Sequence, residues 1–362
     1  MTARDRLTET VCGRANYPHA VFGGRMRACI AALYCELAAS GYGLAIIPAN
    51  VCPTLVTAIH YSGTNILLAP TDPETGAMAD DATAALIRGA ASRGSIMMVQ
   101  SYGFLRDFPE TLEAARSNGW LVVENDTMAT RILTGNAADK LSADVLLTSF
   151  GPGKAVSAGV GGAALFRDSA LAGSVGERVQ AYPAIEDRHF RRDVWLIQLR
   201  RLLRQGPDEN ESWLRHGEFL MALERDDLCH SLPEKYIADI TGALDKAPDM
   251  LARRREKAAD WATALDGFDG IRPVGGRQIN PWRSMWLVRD RRDKVVAAIR
   301  RAGFDAGTNY PDVREYFPTV LPSGPEAGAR QWTESVLNLW LDDRYDRGTI
   351  RDIASIIGKA LA

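Results

Sequence analysis

A chain of 362 residues with 46% hydrophobic and 24% charged side chains is long enough for one large domain and a smaller one. Its formal charge of -2 provides no cationic footprint for nucleic acid or for an anionic membrane surface. Five cysteines (Cys12, Cys29, Cys35, Cys52, Cys229) have neither metal-ligand spacing nor the density of a disulfide scaffold, and the five histidines are scattered, so no metal site is expected. No apolar run reaches the ~18–20 residues of a membrane span, and MTARDRLTET lacks a signal-peptide core. A soluble, cytoplasmic protein is the expectation.

In chain order, residues 27–40 are rich in Ala and Leu, repeat their apolar positions at helical spacing and stop at Gly41. LAIIPAN is a short apolar strand halted by Pro48, 54–61 a helix, and 65–69 a strand. A helix over 81–92, a buried strand over 95–100 (SIMMVQ), a helix over 110–118 and a strand over 120–123 follow. Residues 143–149 (ADVLLTS) are another strand, and 161–167 one entered through glycines. Short apolar strands alternating with helices, without strict polar alternation, indicate an α/β fold whose mostly parallel central sheet is covered on both faces by helices.

From 176 to 232 the pattern is helical and charged, with a loop at GPDENES. A long helix is predicted over 235–265, followed by a strand in PWRSMWLVRD, a helix over 294–302, a strand in SVLNLWL and a closing helix over 350–361. This describes a smaller C-terminal α+β domain. The expected division is 1–245 and 246–362, with the boundary inside the long helix. Arginines at 191–192, 200–201 and 253–255 lie among helix formers and acids and read as solvated helix faces.

Three segments carry chemistry. In SFGPGKAVSAGVGG (149–162), glycines and a proline force a turn at a strand end, lifting Lys154 to the carboxyl edge of a parallel sheet, where ligands bind in open α/β folds. A desolvated lysine there is a nucleophile, although an isolated loop lysine is more often merely exposed. In WLVVENDTMAT (120–130), Asp126 follows an apolar strand. A carboxylate buried there needs a cationic partner, although Asp126 by itself reads as readily as the N-cap of a helix in TMATRIL, and Glu124 competes for the same role. In FGGRMRACIAALYCEL, two glycines before a helix gather backbone N–H groups into a phosphate seat to which Arg25 and Arg27 add charge, although such a turn is often a plain loop.

Taken together, in the order phosphate turn, aspartate, lysine, with a serine five residues before the lysine, these segments resemble the DegT/DnrJ/EryC1 group of sugar aminotransferases, which are fold-type-I pyridoxal-phosphate enzymes. The resemblance rests on GGRMRACIAAL, AIIPANVCP, VQSYGFLRDF, VVEND, SFGPGK and GVGGAALF, and covers roughly residues 20–170. It implies the aminotransferase fold and pyridoxal 5'-phosphate as cofactor. Lys154 would hold the cofactor's aldehyde and shuttle the proton, and Asp126 would pair with the pyridine nitrogen. Ser149 and the backbone of Gly24 and Arg25 would bind the phosphate. The segment near Asn50 and Cys52 would lie over the ring, where the family's usual aromatic is missing. Ala129 stands where the family has His or Gln. Glu234, Lys235 and Tyr236 replace the Asn-Tyr-Arg stretch through which a partner subunit reaches the phosphate.

The resemblance further implies a homodimer that moves an amino group from an amino acid donor to a keto-sugar or small keto metabolite. The alternatives are a lyase or other chemistry at the substrate's α-carbon, or a non-catalytic binding protein on the same fold. Tyr102, Tyr310, Trp282 and Arg314 are candidates for the substrate pocket.

Overall fold

Seven strands form one sheet in the order β1-β7-β6-β5-β4-β2-β3: β1 (His19–Gly23), β2 (Leu44–Pro48), β3 (Asn65–Ala69), β4 (Gly94–Val99), β5 (Leu121–Asn125), β6 (Val145–Ser149) and β7 (Gly162–Phe166). The computed structural model describes residues 1–128, 131–134, 143–189, 227–276, 278–317, 320–322 and 326–362. Strands β2 to β6 are mutually parallel, and β7 runs antiparallel to both β6 and β1. The carboxyl ends of β1, β2, β4, β5 and β6 therefore open on one edge. The strands are short and apolar throughout because helices cover both faces, so neither face needs polar side chains. β6 and β7 are buried at every position.

The flanking helices are α1 (Ala3–Ala15), α2 (Met26–Ala39), α3 (Pro53–His60), α4 (Asp80–Gly89), α5 (Pro109–Ser117), α6 (Arg131–Thr134) and α7 (Ser169–Gln180). Local chemistry fixes several of their starts. Thr2 and Asp5 form a reciprocal capping box on α1, and Asp168 caps α7. Helix α5 begins with Pro109, and Asp80 of α4 accepts from the N–H groups of Glu110 and Thr111 at 3.1 and 2.8 Å. One side chain thus ends a second helix cleanly and locks the two together.

The second sheet is antiparallel, β10-β9-β8, from β8 (Ile271–Pro273), β9 (Ser284–Val288) and β10 (Val336–Leu339). It is packed by α8 (Ile237–Ala264), α9 (Arg292–Arg301), α10 (Ala327–Ser335) and α11 (Arg347–Leu361). Helix α8 serves both cores. Ile237, Ile240, Leu244 and Ala247 pack with Leu7, Val11, Phe22 and Phe150 beside the large sheet, whereas Trp261 packs with Trp286, Val288 and Ile353 of the second unit.

The α/β expectation holds, and most foreseen elements lie within a residue or two of their places. Helix α1, strands β1 and β8, and α10 were not foreseen. β1 opens on His19 and its first three positions are half-buried, so its apolar signal is weak. The expected helical stretch is met by α7 up to residue 180, while the GPDENES loop, Ala129 and the arginines at 191–192 and 200–201 lie outside the described residues.

Candidate active site

The sheet edge is assembled by register. Ser149 pairs with Gly162 across β6 and β7, and Gly162 pairs with Gly23 across β7 and β1. A Cβ on Gly162 would stand 2.5 Å from the backbone nitrogen of Met26, so only glycine lets the start of α2 approach the sheet here. The N-terminus of α2, whose first turn has N–H groups to spare, is thereby seated next to Ser149. The Ser149 hydroxyl accepts from the N–H of Gly151 at 3.2 Å, and Arg25 spans the same region, its guanidinium donating to Gly159 O at 2.7 Å. Arg25 is buried.

One predicted donor is spent elsewhere. The N–H of Gly24 donates to His230 O at 2.8 Å, and its carbonyl accepts from Gly161 N–H at 2.9 Å. A Cβ at Gly24 would meet Ile185 and the Ser231 carbonyl at 2.9 Å, so this glycine serves close packing. Its amide is thus already engaged and is not a free donor at this turn.

Asp126 is fully buried just past β5, its N–H donating to Leu147 O at 2.9 Å. Glu124, two residues earlier, is also buried but is anchored lower in the sheet, where it accepts from Gln100 Nε2 at 3.2 Å. Gln100 in turn ties the loop at Arg106, through its N–H and its carbonyl.

Lys154 sits in the turn after β6, its N–H donating to Gly151 O at 3.3 Å. Gly153, with φ of 74°, supplies the left-handed step that the turn requires. Desolvation holds the Lys154 pKa below the usual lysine range, with Cys52 opposing and Arg283 adding to the shift. A lysine in this condition gives up its proton readily and is a competent nucleophile.

Aromatic residues reach the same edge from distant positions. Tyr102, after β4, has φ of 60° and is fully buried. That backbone costs roughly 1–3 kcal/mol in a residue with a Cβ. Three bonds hold it: its N–H to Met128 Sδ at 3.2 Å, its carbonyl from Gln278 Nε2 at 2.7 Å, and its hydroxyl from Tyr310 N–H at 2.9 Å. Tyr310 stacks on Tyr102 and on Trp282 at centroid distances of 5.9 and 6.1 Å. Burial pushes the Tyr310 phenol well above its usual range, with Cys52 contributing next. Three of the four proposed pocket residues therefore converge. Arg314 does not join them: it is bound to Asp312 through Nε and Nη2. Asn50, near Cys52 in the chain, fastens this aromatic group to β2's end, donating to Tyr310 O at 3.1 Å and Thr333 Oγ1 at 3.3 Å.

Two groups escaped the sequence reading. Of the arginines at 253–255, Arg253 and Arg255 are exposed, but Arg254 turns inward and donates to Lys154 O at 3.4 Å, correcting the expectation of a solvated face. Helical periodicity was the available signal. The second is a cluster in which His189, Asp227 and His230 bring ligand atoms within 4.8 Å of one another, although no sequence spacing suggested it. His189 Nδ1 accepts from Glu186 N–H at 2.9 Å, so a neutral ring carries its proton on Nε2, which faces Asp227 Oδ1 at 3.8 Å. Arg27 lies 3.7 Å from the other carboxylate oxygen. A proton and a guanidinium thus already face this carboxylate, and burial, reinforced by His189, pushes His230 below its usual range.

Glu234 points away from the edge toward Arg4 at 3.0 Å, and Lys235 is exposed beside Asp187. Among the described residues no helix is long and apolar enough to cross a membrane.

The profile of the DegT/DnrJ/EryC1/StrS aminotransferase family matches residues 13–182, the segment that builds this edge. No curated protein matches the chain. Among solved structures, DesI, determined in the presence of its TDP-sugar product, is 20% identical with a TM-score of 0.75, covering 99% of this chain and 84% of that one. Helicobacter pylori PseC, an aminotransferase of pseudoaminic acid biosynthesis, is 14% identical with a TM-score of 0.76 and coverages of 100% and 91%. S. venezuelae DesV, in complex with a ketimine intermediate, is 18% identical with a TM-score of 0.75 and coverages of 100% and 90%.

Proposed function

We propose that this chain, whose residues 13–182 match the model of the DegT/DnrJ/EryC1/StrS aminotransferase family, moves an amino group from an amino acid donor to the keto group of a keto-sugar or small keto metabolite, using pyridoxal phosphate held at this sheet edge. The observation that carries the reading is the convergence of a desolvated Lys154, a buried Asp126 and Ser149 beside the start of α2. This donor set fits the cofactor on chemical grounds. A depressed amine suits an aldehyde, a buried carboxylate suits a protonated pyridine nitrogen, and a hydroxyl at a helix N-terminus suits a phosphate.

Bound there, pyridoxal phosphate supplies an electron-poor ring that accommodates the electron pair left when the donor's α-carbon loses its proton. Lys154 would hold the aldehyde carbon, and its Nζ would take the proton from the donor's α-carbon and return it on the other side of the transferred nitrogen. Asp126 keeps a positive charge on the ring nitrogen. Ser149, Arg25 and the first turn of α2 anchor the phosphate, and Tyr102, Tyr310 and Trp282 exclude water from the opposite wall. In a homodimer, Lys235 of the partner subunit would take the phosphate contact that the family's Asn-Tyr-Arg stretch provides, as a point charge. Sedimentation of a fully active monomer would remove that part.

The test is direct. Protein loaded with pyridoxal phosphate should absorb in the visible and, after borohydride reduction, carry the cofactor on Lys154 by peptide mass. Amino acid donors should convert the spectrum to the amine form, and keto acceptors should restore it. A protein that takes up no cofactor sinks the proposal.

A further inference from the structure

The turn that carries Lys154 is weakly tied within itself. Lys154 N–H reaches Gly151 O at 3.3 Å, Gly153 N–H reaches the Ser157 hydroxyl at 3.2 Å, and that hydroxyl reaches Gly151 O at 3.5 Å. Each bond lies at the long end of the ordinary range or past it. Gly151 and Gly153 have no side chains to pack, and nothing lies within 4 Å of the Cβ position of Gly153. The lysine stem is itself flexible. Local sequence makes the turn, but it does not hold the amine in one place.

Two side chains from outside grip consecutive carbonyls of this turn. The indole Nε1–H of Trp282, in the loop entering β9, donates to Gly153 O at 3.2 Å. Arg254 Nη2, from α8, faces Lys154 O at 3.4 Å, a longer contact strengthened by its charge. Trp282 is buried, and its ring lies within 9° of parallel to that of Tyr310, which fixes the direction of the N–H. The same loop also holds the opposite wall. Gln278 Nε2 donates to Tyr102 O at 2.7 Å and to Arg283 O at 3.0 Å, while the N–H groups of Ile279 and Asn280 donate to Gly103 O at 3.0 and 3.2 Å. One short segment, 278–282, is thus bonded at one end to the aromatic wall and at the other to the lysine turn.

We propose that Trp282 is a positioning residue for Lys154: its indole N–H sets the distance between the lysine turn and the Tyr102 wall, with Arg254 as a second, weaker hold. The proposal rests on the transamination reading for what the amine does, but not for the grip itself. The indole has two separable duties, since its ring lines the wall while its N–H holds the turn. A reacting group displaced by about 1 Å can lose on the order of a hundredfold in rate. Loss of this one hydrogen bond should therefore be felt in proton transfer and little in substrate binding.

Two replacements separate the duties. Trp282→Phe keeps an aromatic ring and removes the N–H, while benzothienylalanine at position 282 keeps both fused rings and puts sulfur where the N–H stood. The first measurement uses protein without cofactor: acylation of Lys154 by acetic anhydride, followed by peptide mass as a function of pH. Cys52 and Arg283, the charges that act on this amine, are retained in both variants, so the midpoint reports where the amine sits. Both replacements should raise it by about half a pH unit, as the released turn gains water. In loaded protein both should lower kcat by about tenfold with KM within about twofold of native. They should also raise the kinetic isotope effect of an α-deuterated amino acid donor, because proton movement through Lys154 Nζ becomes the slow step. A native midpoint or a native isotope effect in the benzothienylalanine protein overturns the proposal, since ring volume would then account for any loss in Trp282→Phe. If the protein takes up no cofactor, the transamination reading fails, while the acylation midpoint still decides the grip.

Discussion

The two walls of the candidate site are built on different principles. The wall carrying Ser149, Lys154 and Asp126 is a row of strand ends, with backbone turns and glycines doing the positioning: Gly162 admits α2, and Gly153 turns the lysine. The opposite wall, carrying Tyr102, Trp282, Arg283, Tyr310 and Trp332, is made by side chains from loops far apart in the chain, held by stacking and single hydrogen bonds. The difference teaches where each kind of damage should appear. Changes on the first wall should strike the chemistry with the fold intact, whereas changes on the second should strike packing, substrate preference and the electrostatics felt by the lysine.

The largest effect is expected at Lys154. Lys154→Ala should lose the covalent cofactor link and lower turnover by at least about a thousandfold, within the range associated with removing a nucleophile and proton carrier, with thermal unfolding little changed. Turnover near the native rate would break the comparison at its centre. At Asp126, substitution by Asn should lower kcat by roughly a hundredfold while some cofactor remains bound, since the ring nitrogen loses its counter-ion. Glu124→Gln, which leaves Gln100 a neutral partner, should cost less than about tenfold, in line with the loss of one charged hydrogen bond. The reverse ranking by steady-state kinetics would move the ion pair to Glu124.

On the second wall the expected effect is on stability. A Cβ at Gly103 would lie 1.7 Å from the Asn280 carbonyl oxygen, and the residue has φ of 85°. Gly103→Ala should therefore destabilise by about 2–4 kcal/mol in urea unfolding, combining overpacking with left-handed strain. Gly153 also has a positive φ, 74°, but nothing lies within 4 Å of the Cβ position, so Gly153→Ala should cost only about 1 kcal/mol. Equal costs would mean that the walls do not differ in tightness.

The smallest effect is a shift in pH dependence. Lys154 reacts as the free amine, which predominates above its pKa. Desolvation, and then Arg283, hold that pKa below the usual lysine value. Cofactor uptake by the apoprotein should therefore rise with pH through a midpoint below that of an exposed lysine. Arg283→Met removes a neighbouring cation, raises the Lys154 pKa and should displace the midpoint to higher pH. An unmoved or lowered midpoint would separate the two walls electrostatically.

What was legible in the sequence follows from how each feature is encoded. Strands such as SIMMVQ and the glycine-bounded SFGPGK turn are local: apolar runs, turn residues and their spacing determine them, and chain order alone takes Asp126 and Lys154 to the ends of adjacent strands. Strand β1 was hidden by its half-buried first three positions, and the Gly24 amide expected at a phosphate goes instead to His230 O, a partner more than two hundred residues away.

By itself, then, the sequence determined the α/β class and the strand that presents the lysine, because those depend on periodicity and on residues next to one another. Only the tertiary structure decided that Tyr310 stacks on Tyr102, that Arg254 turns inward from a triplet whose neighbours are solvated, and that Arg283 shares its charge environment with Lys154. Each of these depends on packing between segments a hundred or more residues apart. Short-range pattern carries no information about such distances, because the free energy that selects them comes from burial and pairing in the assembled core.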